Sequence, residues 1–524
     1  MKQLLLFFTL SIFVFFNLNA QILWQNTIGG NSFDFMEDAI STSDGGFLLI
    51  GMSESNISGD KSENLKGEID YWIVKTNNLG VVQWDKTFGG SGEDYPVSGI
   101  ETSDGGFVIV GESNSTISGD KSENPKGGYD YWVLKINNTG TKVWDKTFGG
   151  SNDDYAIAIR ENSSNELIIS GDSFSDISGD KSENSRGFTD IWTIKISSTG
   201  TLVWDKTLGG DADEELTSLE LTSDGGYILG SIAESGISGD KTVNTSNNED
   251  YWVVKLSSTN TIDWQKTYGG SLTSSSALSS LIPTTDGGYL LAGDSDSDIG
   301  GEKTENSNGN SDLWFIKINS TGTIQWQNTI GGAEGDYVPY GFEKSGGGFV
   351  FAAESLSNIS GDKTENSNNN SSDIWLVELD SNGNLIADKT FGTNSSENPQ
   401  QIVQTSDGNF VIASTIDELS GDNTEVPNGE TDYWLFKVDK NTLSVSSLKN
   451  DLKLKVFPIP VENNINIISE SAIEFIEIID ITGKLISKME SPNKTIDISE
   501  LAKGVYVLRL YSRNGVTNKR IIKQ

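Results

Sequence analysis

No cysteine and no histidine occur in the 524 residues. The first absence excludes a disulfide framework, a thiol nucleophile and a cysteine metal site. The second removes the commonest general base and the commonest zinc ligand. Basic residues are scarce as well. Residues 21–448 hold 24 Lys and Arg against 66 Asp and Glu, a net of −42. A field of that sign repels nucleic acid and anionic lipid, attracts cations, and serves solubility outside the cell. Long apolar runs are missing after residue 20, so no transmembrane segment is expected in the mature chain. The one such run, Leu4 to Phe16, follows Lys2 and is closed by Asn17 and Asn19. With Ala20 at the cleavage position, residues 1–20 read as a secretory signal peptide.

What is abundant is repetition. An aspartate precedes a tryptophan by two positions seven times, at Asp70/Trp72, Asp130/Trp132, Asp190/Trp192, Asp250/Trp252, Asp312/Trp314, Asp373/Trp375 and Asp432/Trp434. The Trp-to-Trp steps are 60, 60, 60, 62, 61 and 59 residues. A fixed period of this length is one supersecondary unit copied in series. One unit, residues 91–150, reads as four short strands: 97–101, 107–110, 131–136 and 141–148. Asp104-Gly105 and Asn138-Thr139-Gly140 mark hairpin turns that need positive φ. The second and third strands are apolar on both faces, the pattern of a sheet covered on both sides.

The chain ends predict a closed ring. The seventh unit stops after its third strand, near Val438. Residues 22–30 form a lone fourth strand matching 143–150. Pairing the two completes the last unit and removes an open sheet edge. Lys86, Lys146, Lys206 and Lys266 on the fourth strands further discourage edge pairing. The expected fold is all-β, a seven-bladed β-propeller over residues 21–440, read as a monomer. The repeat, from Asp-aromatic-Trp through Gly-Gly to Ser-Asp-Gly-Gly, resembles the seven-bladed propeller repeats of exported bacterial proteins. Unit six departs from it at Ala387, where the other fourth strands carry Trp. The resemblance implies a fold and no activity.

The long loops between second and third strands share one predicted face with the inter-blade connections, and both are acidic. One column holds Asp60, Asp120, Asp180, Asp240, Glu302, Asp362 and Asp422, and a second holds Glu63, Glu123, Glu183, Glu305, Glu365 and Glu425, failing only at Val243. Carboxylate and amide oxygens in such numbers suit calcium, with Asp120 and Glu123 as representative ligands. The single best candidate is Asp294, Asp296 and Asp298 with Glu305, although Ile299 stands where a calcium loop needs Gly. The same residue types equally serve as hydrogen-bond partners of their own loop backbones. Tryptophan inside apolar strands reads as core before it reads as a sugar platform.

After residues 441–452, read as a linker, the period vanishes. Residues 453–524 form a small β-sandwich pattern of short strands and turns, with 11 basic against 9 acidic residues from Asn450 onward. Val456-Phe457-Pro458-Ile459-Pro460, Ile479 to Leu485 around Gly483, Leu501 to Tyr506 around Gly504, and the basic end 519–523 carry a second resemblance. This segment is similar to the type A C-terminal sorting domain of the type IX secretion system, an Ig-like sandwich. The resemblance implies export through that machinery to the cell surface or beyond, Phe457, Pro458, Pro460, Gly483, Gly504 and Tyr506 being the matching motif positions. The function expected is a non-enzymatic binding or adhesion protein taking a glycan or protein ligand. A polysaccharide-degrading enzyme with paired carboxylates and a purely structural surface protein are the alternatives.

Overall fold

The computed structural model describes residues 22–245, 249–271 and 275–443, and in the C-terminal unit 455–457, 461, 463–468, 473–480, 484–490, 495–512 and 515–523. The chain divides into two compact units, Met1–Leu443 and Ser444–Gln524.

The first unit is a seven-bladed β-propeller of seven four-stranded antiparallel sheets. Blade 1 comprises Asp34–Ser41, Phe47–Ser53, Asp70–Thr76 and Val82–Phe88, in that spatial order. Blades 2 to 6 repeat this pattern, and blade 7 is assembled from both ends of the unit. Its strands are Pro399–Gln404, Phe410–Ile416 and Asp432–Val438, with Ile22–Ile28 as the fourth. Ile22 pairs with Val438 and Ile28 with Tyr433, which closes the ring as the sequence predicts. The turn Thr102–Gly106 holds Gly105 at φ 78°, which explains the recurring Asp-Gly.

The third strands form the densest part of the core. Every residue from Asp70 to Thr76 and from Asp130 to Ile136 is buried. All seven third-strand tryptophans are fully buried. Each indole Nε1 donates to a fourth-strand side chain: Trp72 to Asp85 at 3.1 Å, Trp252 to Gln265 at 3.1 Å and Trp434 to Gln25 at 3.1 Å. Tyr71 packs on Trp132 of the next blade with ring centroids 4.6 Å apart, and Tyr433 on Trp72 at 4.9 Å. The aromatic-Trp pair of each mark is therefore inter-blade packing, with the indole N–H satisfied.

The propeller extends three residues into the stretch expected to be linker. Lys440–Thr442 form a 3-10 turn, and Leu443 is buried in the core of the last blades. Burial of that one apolar side chain moves the unit boundary.

In the second unit, Lys455–Phe457, Asn464–Ile468 and Thr495–Asp497 form one sheet. Leu485–Glu490, Ile473–Asp480, Gly504–Ser512 and Gly515–Lys523 form another. Ile465, Ile467 and Ile496 of the first meet Ile476, Ile478, Leu508 and Leu510 of the second in one core, making a small β-sandwich. Tyr506 Oη donates to the Ala502 carbonyl at 3.0 Å, and Gly504 opens its strand. Phe457 ends a strand, whereas Pro458, Pro460 and Gly483 lie outside the described residues.

Candidate functional site: the long-loop face and the central channel

The long loops meet the inter-blade connections on one face, and the opposite face carries only tight turns such as Thr42–Gly46 and Asn77–Val81. The first acidic column joins blades. Asp60 N donates to Gly29 O at 2.9 Å, and its Oδ2 accepts from Gly29 N at 3.2 Å. The same two-way latch ties Asp120 to Gly89, Asp180 to Gly149, Asp240 to Gly209, Glu302 to Gly269, Asp362 to Gly331 and Asp422 to Gly392. Cations of the preceding blade add to it: Lys66 reaches Asp120 at 2.6 Å, Arg186 reaches Asp240 at 2.6 Å, and Lys126 pairs with Asp180.

The second column pins each long loop to its own outer strand. Glu123 accepts from Lys146 Nζ at 2.6 Å and from Thr147 N at 3.0 Å. Glu63 does the same with Lys86 and Thr87, Glu183 with Lys206 and Thr207, and Glu365 with Lys389 and Thr390. The fourth-strand lysines expected to guard sheet edges thus also fasten loops. In blade 4, where Val243 replaces the Glu, Lys266 is exposed.

The four carboxylates singled out in blade 5 take separate partners. Asp294 Oδ2 accepts from Ser311 Oγ at 2.9 Å, Asp296 from Ser275 N at 2.8 Å, and Glu305 from Thr329 N at 2.8 Å. Asp298, like Asp296 and Asp294, also acts electrostatically on Lys303. Among the described residues, no group of three or more carboxylates is gathered around a position for a metal ion.

A layer of charge the sequence reading did not anticipate lies at the blade junctions. Asp70 opens the third strand fully buried; its Oδ2 accepts from Lys66 N at 2.5 Å, and its Oδ1 has no hydrogen-bond partner. Gly89 passes so close that a Cβ there would stand 1.9 Å from this Oδ1, which requires glycine. Asp94 of blade 2 crowds the same position, its Oδ2 2.9 Å from where that Cβ would stand, and is held by Gly90 N at 2.7 Å and Ser115 Oγ at 2.9 Å. The loop lysines are buried too, Lys61 Nζ lying 5.2 Å from the Trp72 ring centre and 2.6 Å from Thr87 Oγ1. Burial pushes Asp70, Asp130, Asp312 and Asp432 up to about 6, and Asp373 to about 7. Burial lowers Lys61, Lys121 and Lys363 to about 8.

These groups set a pH dependence. A carboxyl raised from about 3.9 when unfolded to about 6 when folded holds an extra proton in the fold between those values. Its contribution is complete below pH 4 and is lost as pH rises through 6. Turn carboxylates act oppositely: Asp104, held first by Lys135, and Asp224, held by Thr222 and then Lys255, sit at about 2 and lose their contribution only as pH falls through that value. The melting temperature is therefore expected to peak near pH 4 and to fall toward pH 7.5. Scanning calorimetry across that range checks it, and a rise toward neutral pH would contradict the buried-acid assignment.

The first strands of all seven blades line a central channel of about 720 Å³. Its walls break the sevenfold pattern. Asp38 of blade 1 accepts from Gly99 N at 3.1 Å and Ser98 Oγ at 3.3 Å in blade 2. Arg160 of blade 3 donates through Nε to Glu220 Oε2 of blade 4 at 3.2 Å and through Nη2 to Oε1. Glu37 is pushed up to about 7, first by burial and then by Asp38. Tyr340 and Gln401 complete an uneven, polar ring. These residues were missed because no motif marks them; the one available signal was loss of period among the first strands.

Residues 455–524 match the family described as the secretion system C-terminal sorting domain. No curated protein matches the sequence. Among solved structures, the Pan2 WD40 domain of Neurospora crassa is similar with TM-score 0.41 at 10% identity, over 80% of this chain and 97% of that one. Drosophila Plexin A in complex with Semaphorin 1b gives 0.43 at 8% identity, over 80% and 87%. PorZ, a surface component of the type-IX secretion system of Porphyromonas gingivalis, gives 0.20 at 10% identity, over 96% and 86%. At these values the likenesses carry no argument about activity. Among the described residues no helix is long and apolar enough to cross a membrane. The sorting domain engages the secretion machinery, and the chain is a β-propeller protein exported by the type IX route to the cell surface or the extracellular space.

Proposed function

We propose that this protein is a non-enzymatic binding or adhesion protein that recognises its ligand at the channel and its long-loop mouth. One observation carries the reading: equivalent wall positions hold Asp38, Ser98, Ala158, Ser218, Ser280 and Gln401, whereas the packing positions around them repeat. Packing alone favours repetition, and recognition of one ligand favours asymmetry. The acidic columns, by contrast, are occupied by bonds that hold the blades together.

Glycan and protein arrays probed with the full mature chain, with and without calcium, test the proposal. Binding to a defined class supports it. Binding that appears only with calcium, together with a melting temperature raised by calcium and lowered by chelator, would return the loop carboxylates to a ligand-binding role. Silence in every condition overturns it in favour of a purely structural surface protein. Hydrolysis of an arrayed polysaccharide, abolished by one carboxylate substitution, would establish the enzymatic alternative.

A further inference from the structure

A chain of aromatic rings interrupts the propeller symmetry at blades 2 and 3 on the long-loop face. Tyr95 and Tyr129 have ring centroids 6.2 Å apart, Tyr129 and Tyr155 6.0 Å, and Tyr155 and Phe174 5.9 Å. Phe174 is 41% exposed, and the three tyrosines are half-exposed. Packing of the blades does not need them. The position shared by Tyr95 and Tyr155 is Phe35 in blade 1 and Tyr337 in blade 6, but Glu215 in blade 4 and Ala277 in blade 5. That of Tyr129 is Thr189 in blade 3 and Ser311 in blade 5, and that of Phe174 is Glu234 and Asp296.

The rings are fixed in place by polar groups that alternate with them. Tyr129 Oη donates to Glu93, and Tyr129 N donates to Asp153 Oδ1 at 2.8 Å. Asn114 Oδ1 accepts from Glu93 N at 2.8 Å, and Asn152 Nδ2 donates to the Phe174 carbonyl at 2.7 Å. Apolar ring faces interleaved with fixed donors and acceptors match a sugar chain, whose rings present C–H faces and hydroxyl edges in alternation. The electrostatics narrow the class. Glu93, Glu54 and Glu68 lie close enough to Tyr95 to help burial push its phenol up. Anionic chains are repelled there.

We propose that Tyr95, Tyr129, Tyr155 and Phe174 form the contact platform for an uncharged polysaccharide. The proposal rests on the binding reading above and specifies its ligand class. Native gels cast with laminarin, xyloglucan or dextran, and separately with alginate, test it on the full mature chain. At least one neutral polymer is expected to retard the protein, and alginate is not. Phe174→Ala should weaken retardation several-fold and Tyr95→Ala/Tyr155→Ala about tenfold or more, at unchanged melting temperature. Tyr337→Ala, at the Tyr95 position of blade 6, should bind as the parent does. Phe174, the most exposed ring, keeps the test valid if the double variant fails to fold. The proposal is overturned if no neutral polymer retards the parent, if alginate alone does, or if the platform variants are retarded as the parent is. In the last case, or if arrays reveal only protein ligands, the binding function survives and the platform assignment does not.

Discussion

A chain starting at Gly29, and so lacking Ile22–Ile28, is expected to lose its cooperative thermal transition or to melt tens of degrees lower. Blade 7 then keeps three strands, and the ladder from Ile22–Val438 to Ile28–Tyr433 is gone. Ile28 leaves the core, and the packed contribution of Trp24 goes with it. Trp434 loses the Gln25 acceptor of its Nε1, and Glu425 loses the Thr27 amide that binds it at 2.7 Å. Each buried apolar side chain released costs about 1.5–3 kcal/mol, so Ile28, Trp24 and the partly buried Ile22 together cost on the order of 4–9 kcal/mol. Native proteins have roughly 5–15 kcal/mol in total. Calorimetry of the truncated chain measures the effect, and a synthetic peptide of residues 22–30 should restore part of the transition. A truncated protein melting within a few degrees of the parent would show that the ring does not depend on this strand.

The second large effect separates export from folding. Removing residues 444–524 should leave the propeller's melt unchanged and reduce the surface-exposed protein to background, with the product held in the periplasm. The tail has its own core, built on Ile465, Ile476, Ile496 and Leu508, and it forms its own compact unit. All 13 tryptophans lie at or before Trp434, so indole fluorescence reports on the propeller alone. Surface proteolysis and fractionation measure the location. A truncated protein that still reaches the surface would remove the export role from the matched sorting domain. A shifted melt would show instead that the two units are thermodynamically coupled.

Much of the architecture was legible because it is written in period and end-matching. The four strands of residues 91–150, the pairing of residues 22–28 with the last blade and the separation of long loops from tight turns all follow from local patterns, although the first strand begins three residues earlier, at Asp94, and the second runs three residues further, to Ser113. Leu443 was misassigned because one apolar residue beyond the last strand carries no periodic signal, and only its burial shows where it belongs. The carboxylates were read by type, and type does not state a partner. Glu123 lies 23 residues from Lys146, and Asp60 meets a glycine at position 29 in a different blade. A column of acids can thus form a cation face or a set of latches, and the distances show the latches. The aromatic platform was invisible for the same reason. Its rings come from residues 95, 129, 155 and 174: Tyr95 and Tyr155 share one repeat position, and Tyr129 and Phe174 come from two others that meet them only in space.

By itself the sequence determined the repeat, the number of blades, the closure of the ring and the exported class, since each depends on short-range pattern or on a motif held within a few residues. Only the tertiary structure decided which charges are consumed in holding blades together, which acids are buried deeply enough to keep a proton, and where symmetry fails. Those properties depend on through-space distance and on loss of water. Both arise when segments about 400 residues apart, such as Gln25 and Thr424, are brought within 3 Å.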